Sequence, residues 1–221
     1  MRLSELEYGS LLSYTPRGDS TESRLSRNLM IFVKRDLYVK TAADPNSPIP
    51  MSQWMAETIQ QHRATLPFAS FFQSNTILIP TPKSSLMQPG TLWVPERIAT
   101  ALVKMGIGKE VGSCLVRVKP VRKAASSAAE QRPIPSEHYE SMKVQGRLSE
   151  PDEIVLIDDI VTRGATLVGA ANRLADAFPK AHIRAFAAMR TISDPSQFEK
   201  LYDPCIGTIM LRASGDTLRR P

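Results

Sequence analysis

Ile154-Val155-Leu156-Ile157-Asp158-Asp159-Ile160-Val161-Thr162-Arg163-Gly164-Ala165-Thr166-Leu167 is the stretch whose reading decides the fold. It begins as a run of β-branched and aliphatic residues, which predicts a strand buried on both faces. Two adjacent carboxylates, Asp158 and Asp159, close that strand, and a compact Thr-Arg-Gly-Ala-Thr turn follows. Leu167, Ala171, Leu174 and Phe178 then recur at steps of four and three, the stripe of an amphipathic helix.

Buried strand, acidic pair, small-residue loop and helix start make a chemically useful order. The first turn of a helix has backbone N–H groups without intrahelical partners and carries the positive end of the helix dipole, so an anion fits there. Gly164 permits close approach of backbone to a ligand. Thr162 and Thr166 add hydroxyl donors, with Thr166 alternatively serving as a helix cap. Carboxylates at the carboxyl end of a strand lie where open α/β sheets bind ligands. Two carboxylates beside a phosphate repel it unless something stands between them. A ribose resolves the conflict, its hydroxyls donating to Asp158 and Asp159 and its 5′-phosphate lying in the 162–166 loop. The bland alternative is a buried strand whose solvated acidic turn only caps a helix.

The stretch resembles the phosphoribosyl-pyrophosphate (PRPP) signature of type I phosphoribosyltransferases: a hydrophobic run, Asp-Asp, two aliphatics, then Thr-x-Gly-x-Thr, with every position filled between Ile154 and Thr166. The turn holds neither the G-x-G-x-x-G of dinucleotide sites nor the G-K-[ST] of a P-loop. The resemblance implies a fold of the type I phosphoribosyltransferase kind. It also implies a pentosyl-transfer enzyme that passes ribose 5-phosphate from PRPP to a nucleophilic acceptor and releases pyrophosphate. Mg²⁺ is then bound to the substrate rather than to protein ligands, and a homodimer is usual. Asp158 and Asp159 are the expected catalytic pair. Thr162, Arg163, Gly164, Ala165 and Thr166 are the expected 5′-phosphate loop.

Outward from this centre, Thr76-Ile77-Leu78-Ile79-Pro80 reads as a central strand, with Thr81-Pro82-Lys83-Ser84-Ser85 at its carboxyl end. Either this is a solvated turn or, as the resemblance implies, Thr81 and Lys83 serve pyrophosphate. Residues 112–119 alternate as a strand with Arg117 and Lys119 on its charged side, and the resemblance implies that these two also serve the pyrophosphate and its flexible loop. The segment after it, through Arg122, Lys123 and Arg132, sets small residues between basic ones and builds no core. It is a solvated basic linker or, by the resemblance, a loop that closes over pyrophosphate with Arg122 and Lys123 offsetting charge.

Strands at about 76–80, 112–119, 153–158, 182–189 and 206–211 alternate mostly with helices. This predicts an α/β fold, a Rossmann-like parallel sheet of about five strands with helices on both faces. Residues 1–20 are polar, with Pro16-Arg17-Gly18-Asp19 as a turn signal. Asp19 is a candidate cap for a helix carrying Leu25, Leu29, Phe32 and Val33, and Ser52 for a second through about Arg63. The expected organisation is an N-terminal helical extension or hood over 1–70, the phosphoribosyltransferase domain over 71–215, and a frayed tail over 216–221. Pro67-Phe68-Ala69-Ser70-Phe71-Phe72 reads as core packing, since no basic residue interleaves it.

Tyr14-Thr15-Pro16-Arg17-Gly18 and Ile79-Pro80-Thr81-Pro82 are also similar to the ComF-like subgroup, although Met87-Gln88-Pro89-Gly90 stands where that pattern has Arg-Gly-Phe-Asn. That subgroup suggests an alternative function, a regulatory PRPP-binding module linked to DNA uptake or nucleic-acid binding without turnover of its own. The net charge of +6 and pI of about 9.5 suit a polyanionic substrate or nucleic acid. Only two cysteines are present, Cys114 and Cys205, and with the three histidines they form no metal spacing. No apolar run is long enough to span a bilayer and the N-terminus lacks a signal-peptide core, so a cytoplasmic protein is expected.

Overall fold

The computed structural model describes residues 1–41, 44–122, 132–146 and 150–221. In chain order the strands are β1 (Glu5–Tyr14), β2 (Tyr38–Val39), β3 (Ile49–Pro50), β4 (Ile77–Pro80), β5 (Glu110–Val111), β6 (Leu115–Arg117), β7 (Met142–Val144), β8 (Glu153–Val161), β9 (His182–Thr191), β10 (Tyr202–Leu211) and β11 (Thr217–Arg220). The helices are α1 (Thr21–Arg35), α2 (Met51–His62), α3 (Val94–Lys104), α4 (Pro135–Glu140) and α5 (Ala165–Ala177). A seven-stranded sheet in the order β11-β10-β1-β9-β8-β4-β5 forms the centre. The five strands from β1 to β5 in that order are parallel, and β10 and β11 add an antiparallel edge beside β1. The fold is therefore α/β with a mostly parallel sheet.

Alternation along β8 divides the core. Val155 and Ile157 face a layer with Phe68, Phe72, Ile98 and Phe186, while Ile154 and Leu156 face Leu167, Leu174 and Ala185. All four β8 residues are fully buried, as expected of a strand covered on both sides. Phe68, Phe72 and Phe186 pack with ring centroids 5.1–6.3 Å apart, so the 67–72 stretch is core, as its composition predicts.

Several expectations change. The N-terminal extension is not helical throughout, because Glu5–Tyr14 is a strand between β9 and β10. Residues 1–70 thus contribute to the central sheet, with α1 and α2 following on from it. The 112–119 strand is two pieces: β5 closes the sheet edge, and β6 pairs with β7 in a separate hairpin. The last strand starts at Tyr202 and runs antiparallel, and the tail forms β11 instead of fraying. Leu25 is 50% exposed rather than core, and the cap of α1 is Ser20, which accepts from the Ser23 N–H at 3.1 Å. Ser52 lies within α2, its own N–H donating to Asp36 at 2.7 Å.

Candidate functional site

The carboxyl ends of β1, β9, β8 and β4 open into a cleft of about 790 Å³. Asp158, Asp159 and all of Thr162–Thr166 line it, with Thr81, Lys83, Arg117 and Arg122 among the other walls. The strand does not stop at the acidic pair. β8 continues to Val161, held by β9 through the Ile160–Met189 and Val161–Arg190 pairs. The two aspartates therefore sit on a rigid ladder instead of in a turn.

The Asp158 carboxylate accepts from the Thr81 hydroxyl at 2.9 Å and from the Asp159 N–H at 2.9 Å. Burial, and after it the adjacent Asp159 charge, push the Asp158 carboxyl well above the usual carboxylate range, with the Thr81 hydrogen bond opposing them. Asp159 accepts from the Ile160 N–H at 2.7 Å. The pair is thus oriented by its own backbone.

The loop fits the geometry that its sequence predicts. Gly164 has φ +87°, in the left-handed region, and directly precedes α5. Among the described residues, the N–H groups of Arg163, Gly164, Ala165 and Thr166 donate to no protein acceptor, and α5 starts without a side-chain cap. Thr166 is not the cap. Its hydroxyl lies 3.4 Å from His138 Nε2, while the Thr162 hydroxyl lies 3.0 Å from that of Thr191. Arg163 is turned to an ion pair with Asp216 at 2.6 Å.

The flanking basic residues divide. Lys83 donates to the Leu92 carbonyl at 3.0 Å. Arg117 is 5% exposed and is no solvent-facing side chain: it donates to the Lys83 carbonyl at 2.7 Å, to the Pro82 carbonyl at 3.4 Å and to the Ser141 hydroxyl. Burial lowers this guanidinium to about 10, opposed by the Asp158 charge. Arg117 therefore ties the loop after β4 to the start of β7. Lys119 is exposed and outside the cleft lining, Arg122 is exposed and within it, and Lys123 lies outside the described residues.

His138 is a cleft residue with no motif to announce it. It is 4% exposed, its Nδ1 has no partner among the described residues, and burial, then the Arg117 charge, lower its imidazole to about 4. It is held against α5, where a Cβ on Gly169 would lie 2.6 Å from the His138 Cβ. The sequence signal was Gly169, a small residue on the packed face of a helix.

Among the described residues, no three His, Cys, Asp or Glu side chains group as a metal site, and no helix is long and apolar enough to cross a membrane. The two aspartates offer oxygen donors of the hard kind that Mg²⁺ takes.

No family model matches the chain. It is 46% identical over 39 residues to an orotate phosphoribosyltransferase of Lactobacillus johnsonii, a match that spans 18% of this chain and only 18% of that relative's length. A solved hypoxanthine-guanine phosphoribosyltransferase (hpt-2) of Bacillus anthracis aligns over 67% of this chain and 73% of its own, at 15% identity and a TM-score of 0.32. The chain is similar to type I phosphoribosyltransferases. Neither relative points to the ComF-like subgroup.

Proposed function

We propose that the cleft binds PRPP and transfers its ribosyl 5′-phosphate to a nucleophilic acceptor. The observation that carries this reading is that residues 163–166, whose amides have no acceptor among the described residues, line the same cleft as Asp158 and Asp159. In it the 5′-phosphate takes the amides and the positive end of α5, which fix the sugar as a handle. Asp158 and Asp159 accept from the ribose hydroxyls. The bond from C1′ to the pyrophosphate oxygen breaks, its electron pair leaves with pyrophosphate, and the acceptor's lone pair makes the new bond. Positive charge that develops on the ribose is stabilised by the two carboxylates, which are already oriented by β8. Lys83 and Arg122 flank the pyrophosphate side. A substrate-bound Mg²⁺ would supply charge neutralisation of the pyrophosphate, and Asp158 and Asp159 are cleft oxygens that could face its water shell.

The acceptor enters past Tyr14, Pro16, Arg17 and Lys34, cleft residues that end β1, follow it or lie on α1. Residues of the N-terminal segment thus act as the hood. The test is a pyrophosphate-release screen with PRPP, Mg²⁺ and a panel of nucleobases and small amines. Release that depends on one acceptor supports the reading, and PRPP left intact with every acceptor counts against turnover.

A second reading, a module that binds nucleic acid, draws on α1. Arg24, Arg27, Lys34 and Arg35 share one face of this helix, and none of them makes an ion pair among the described residues. It requires affinity for DNA or RNA whose logarithm falls linearly with log salt, and no binding at low salt removes it.

A further inference from the structure

We infer that the C-terminal hairpin β10–β11 is the template on which the anion-binding loop is shaped, and that Arg219 is its positioning residue. This rests on the loop's being the 5′-phosphate site. Three consecutive loop residues are held by the same hairpin. The Thr162 carbonyl accepts from Arg219 Nε at 2.7 Å, Arg163 pairs with Asp216 at 2.6 Å, and Gly164 lies against Ile209, whose Cδ1 would be 2.5 Å from an added Cβ.

Arg219 does more than close one contact. Its other nitrogens donate to the Tyr8 hydroxyl at 2.6 Å and to the Thr191 carbonyl at 2.5 Å, and its guanidinium lies 5.7 Å from the centre of the Tyr8 ring. Thr162 and Thr191 both line the cleft, whereas Arg219 does not. One planar, permanently charged fork therefore fixes a carbonyl from each of two cleft-lining segments and anchors both to β1. A carbonyl beside an anion site is repulsive when it swings inward. Arg219 holds the Thr162 carbonyl on the hairpin side, which leaves the following N–H groups to face the ligand. The guanidinium acts through the loop and needs no contact with phosphate.

A positioning role predicts a split between ligands. Arg219→Gln is expected to weaken ribose 5-phosphate and PRPP by ~10-fold or more, the scale of losing hydrogen bonds from a charged donor. Affinity for Mg-pyrophosphate, held across the cleft by the β4 loop, is expected to stay within about twofold. Arg219→Lys, which keeps the charge and loses the fork, should fall between, and guanidinium should restore ribose 5-phosphate binding to Arg219→Ala. Calorimetry with these three probes reads all of it. Equal ribose 5-phosphate affinity in Arg219→Gln and the unaltered protein overturns the inference. So does a parallel loss of pyrophosphate binding, which a general loosening of the fold produces. If the unaltered protein binds neither ribose 5-phosphate nor PRPP, the phosphoribosyl reading itself falls and takes the inference with it.

Discussion

Gly164→Ala tests the packing that shapes the loop. At φ +87° a residue with a Cβ pays the left-handed conformational cost, about 1–2 kcal/mol. The new methyl also meets Ile209, at 2.5 Å from Cδ1, 2.8 Å from Cγ2 and 2.9 Å from Cγ1. Ile209 is fully buried on β10 and cannot swing away without opening the core, so overpacking adds about 1–3 kcal/mol. The sum is ~2–5 kcal/mol, or a fall of roughly 4–20 °C in Tm for a chain of this size. Thermal and urea unfolding measure it. Ile209→Val separates the two causes, because it removes Cδ1, the nearest atom. Alone it should cost ~0.5–1.5 kcal/mol. In the Gly164→Ala background it should cost less, with a coupling of ~1 kcal/mol. Strict additivity would refute the clash, and a Gly164→Ala loss below ~0.5 kcal/mol would refute both causes.

Asp158 and the buried histidine give opposite pH behaviour. Asp158 has a raised folded pKa, so the folded state binds the extra proton and loses stability as pH rises through that pKa. Asp158→Asn should therefore raise Tm at pH 8 relative to the unaltered protein and give little gain at pH 4, while PRPP affinity drops. A lower Tm at pH 8 contradicts this. His138 has a depressed folded pKa, so its contribution is complete above pH 6.5 and is lost as pH falls through about 4, to a limit of ~3 kcal/mol. His138→Gln should flatten the stability profile between those values, and an unchanged acid limb excludes His138 as its source. Arg117→Met should loosen the β4 loop by removing donors to the Pro82 and Lys83 carbonyls, a loss of ~1–3 kcal/mol. An unaffected Tm would mean that those carbonyls find other donors.

The parts of the fold written as runs of like residues were legible. Ile154–Ile157 is apolar throughout and is buried on both faces, and the helix after Gly164 shows its stripe at steps of three and four. β1 was hidden because its inward side chains include Ser10 and Ser13, which look like surface residues. Each is satisfied only across the fold, Ser13 by donating to the Lys200 carbonyl at 2.7 Å and Ser10 beside Cys205 Sγ at 3.3 Å. Gly9 there lies under Phe68, where a Cβ would come within 2.7 Å. β11 was hidden for a related reason. Thr217–Arg220 is short and basic, and the acceptors that order Arg219 are 28 to 211 residues away in sequence. The acidic pair and the Thr-x-Gly-x-Thr loop were readable because their chemistry is local. Arg117 and His138 were not, since their contacts come from elements that only the tertiary fold brings together.

Titration of the unaltered protein with PRPP and Mg²⁺ in a calorimeter tests the central claim most directly, repeated with Asp159→Asn. Saturable binding near one site per chain, markedly weaker in the variant, is the predicted result. No saturable heat from the unaltered protein, or identical affinity in Asp159→Asn, would contradict a ribose 5-phosphate held between the acidic pair and the start of α5.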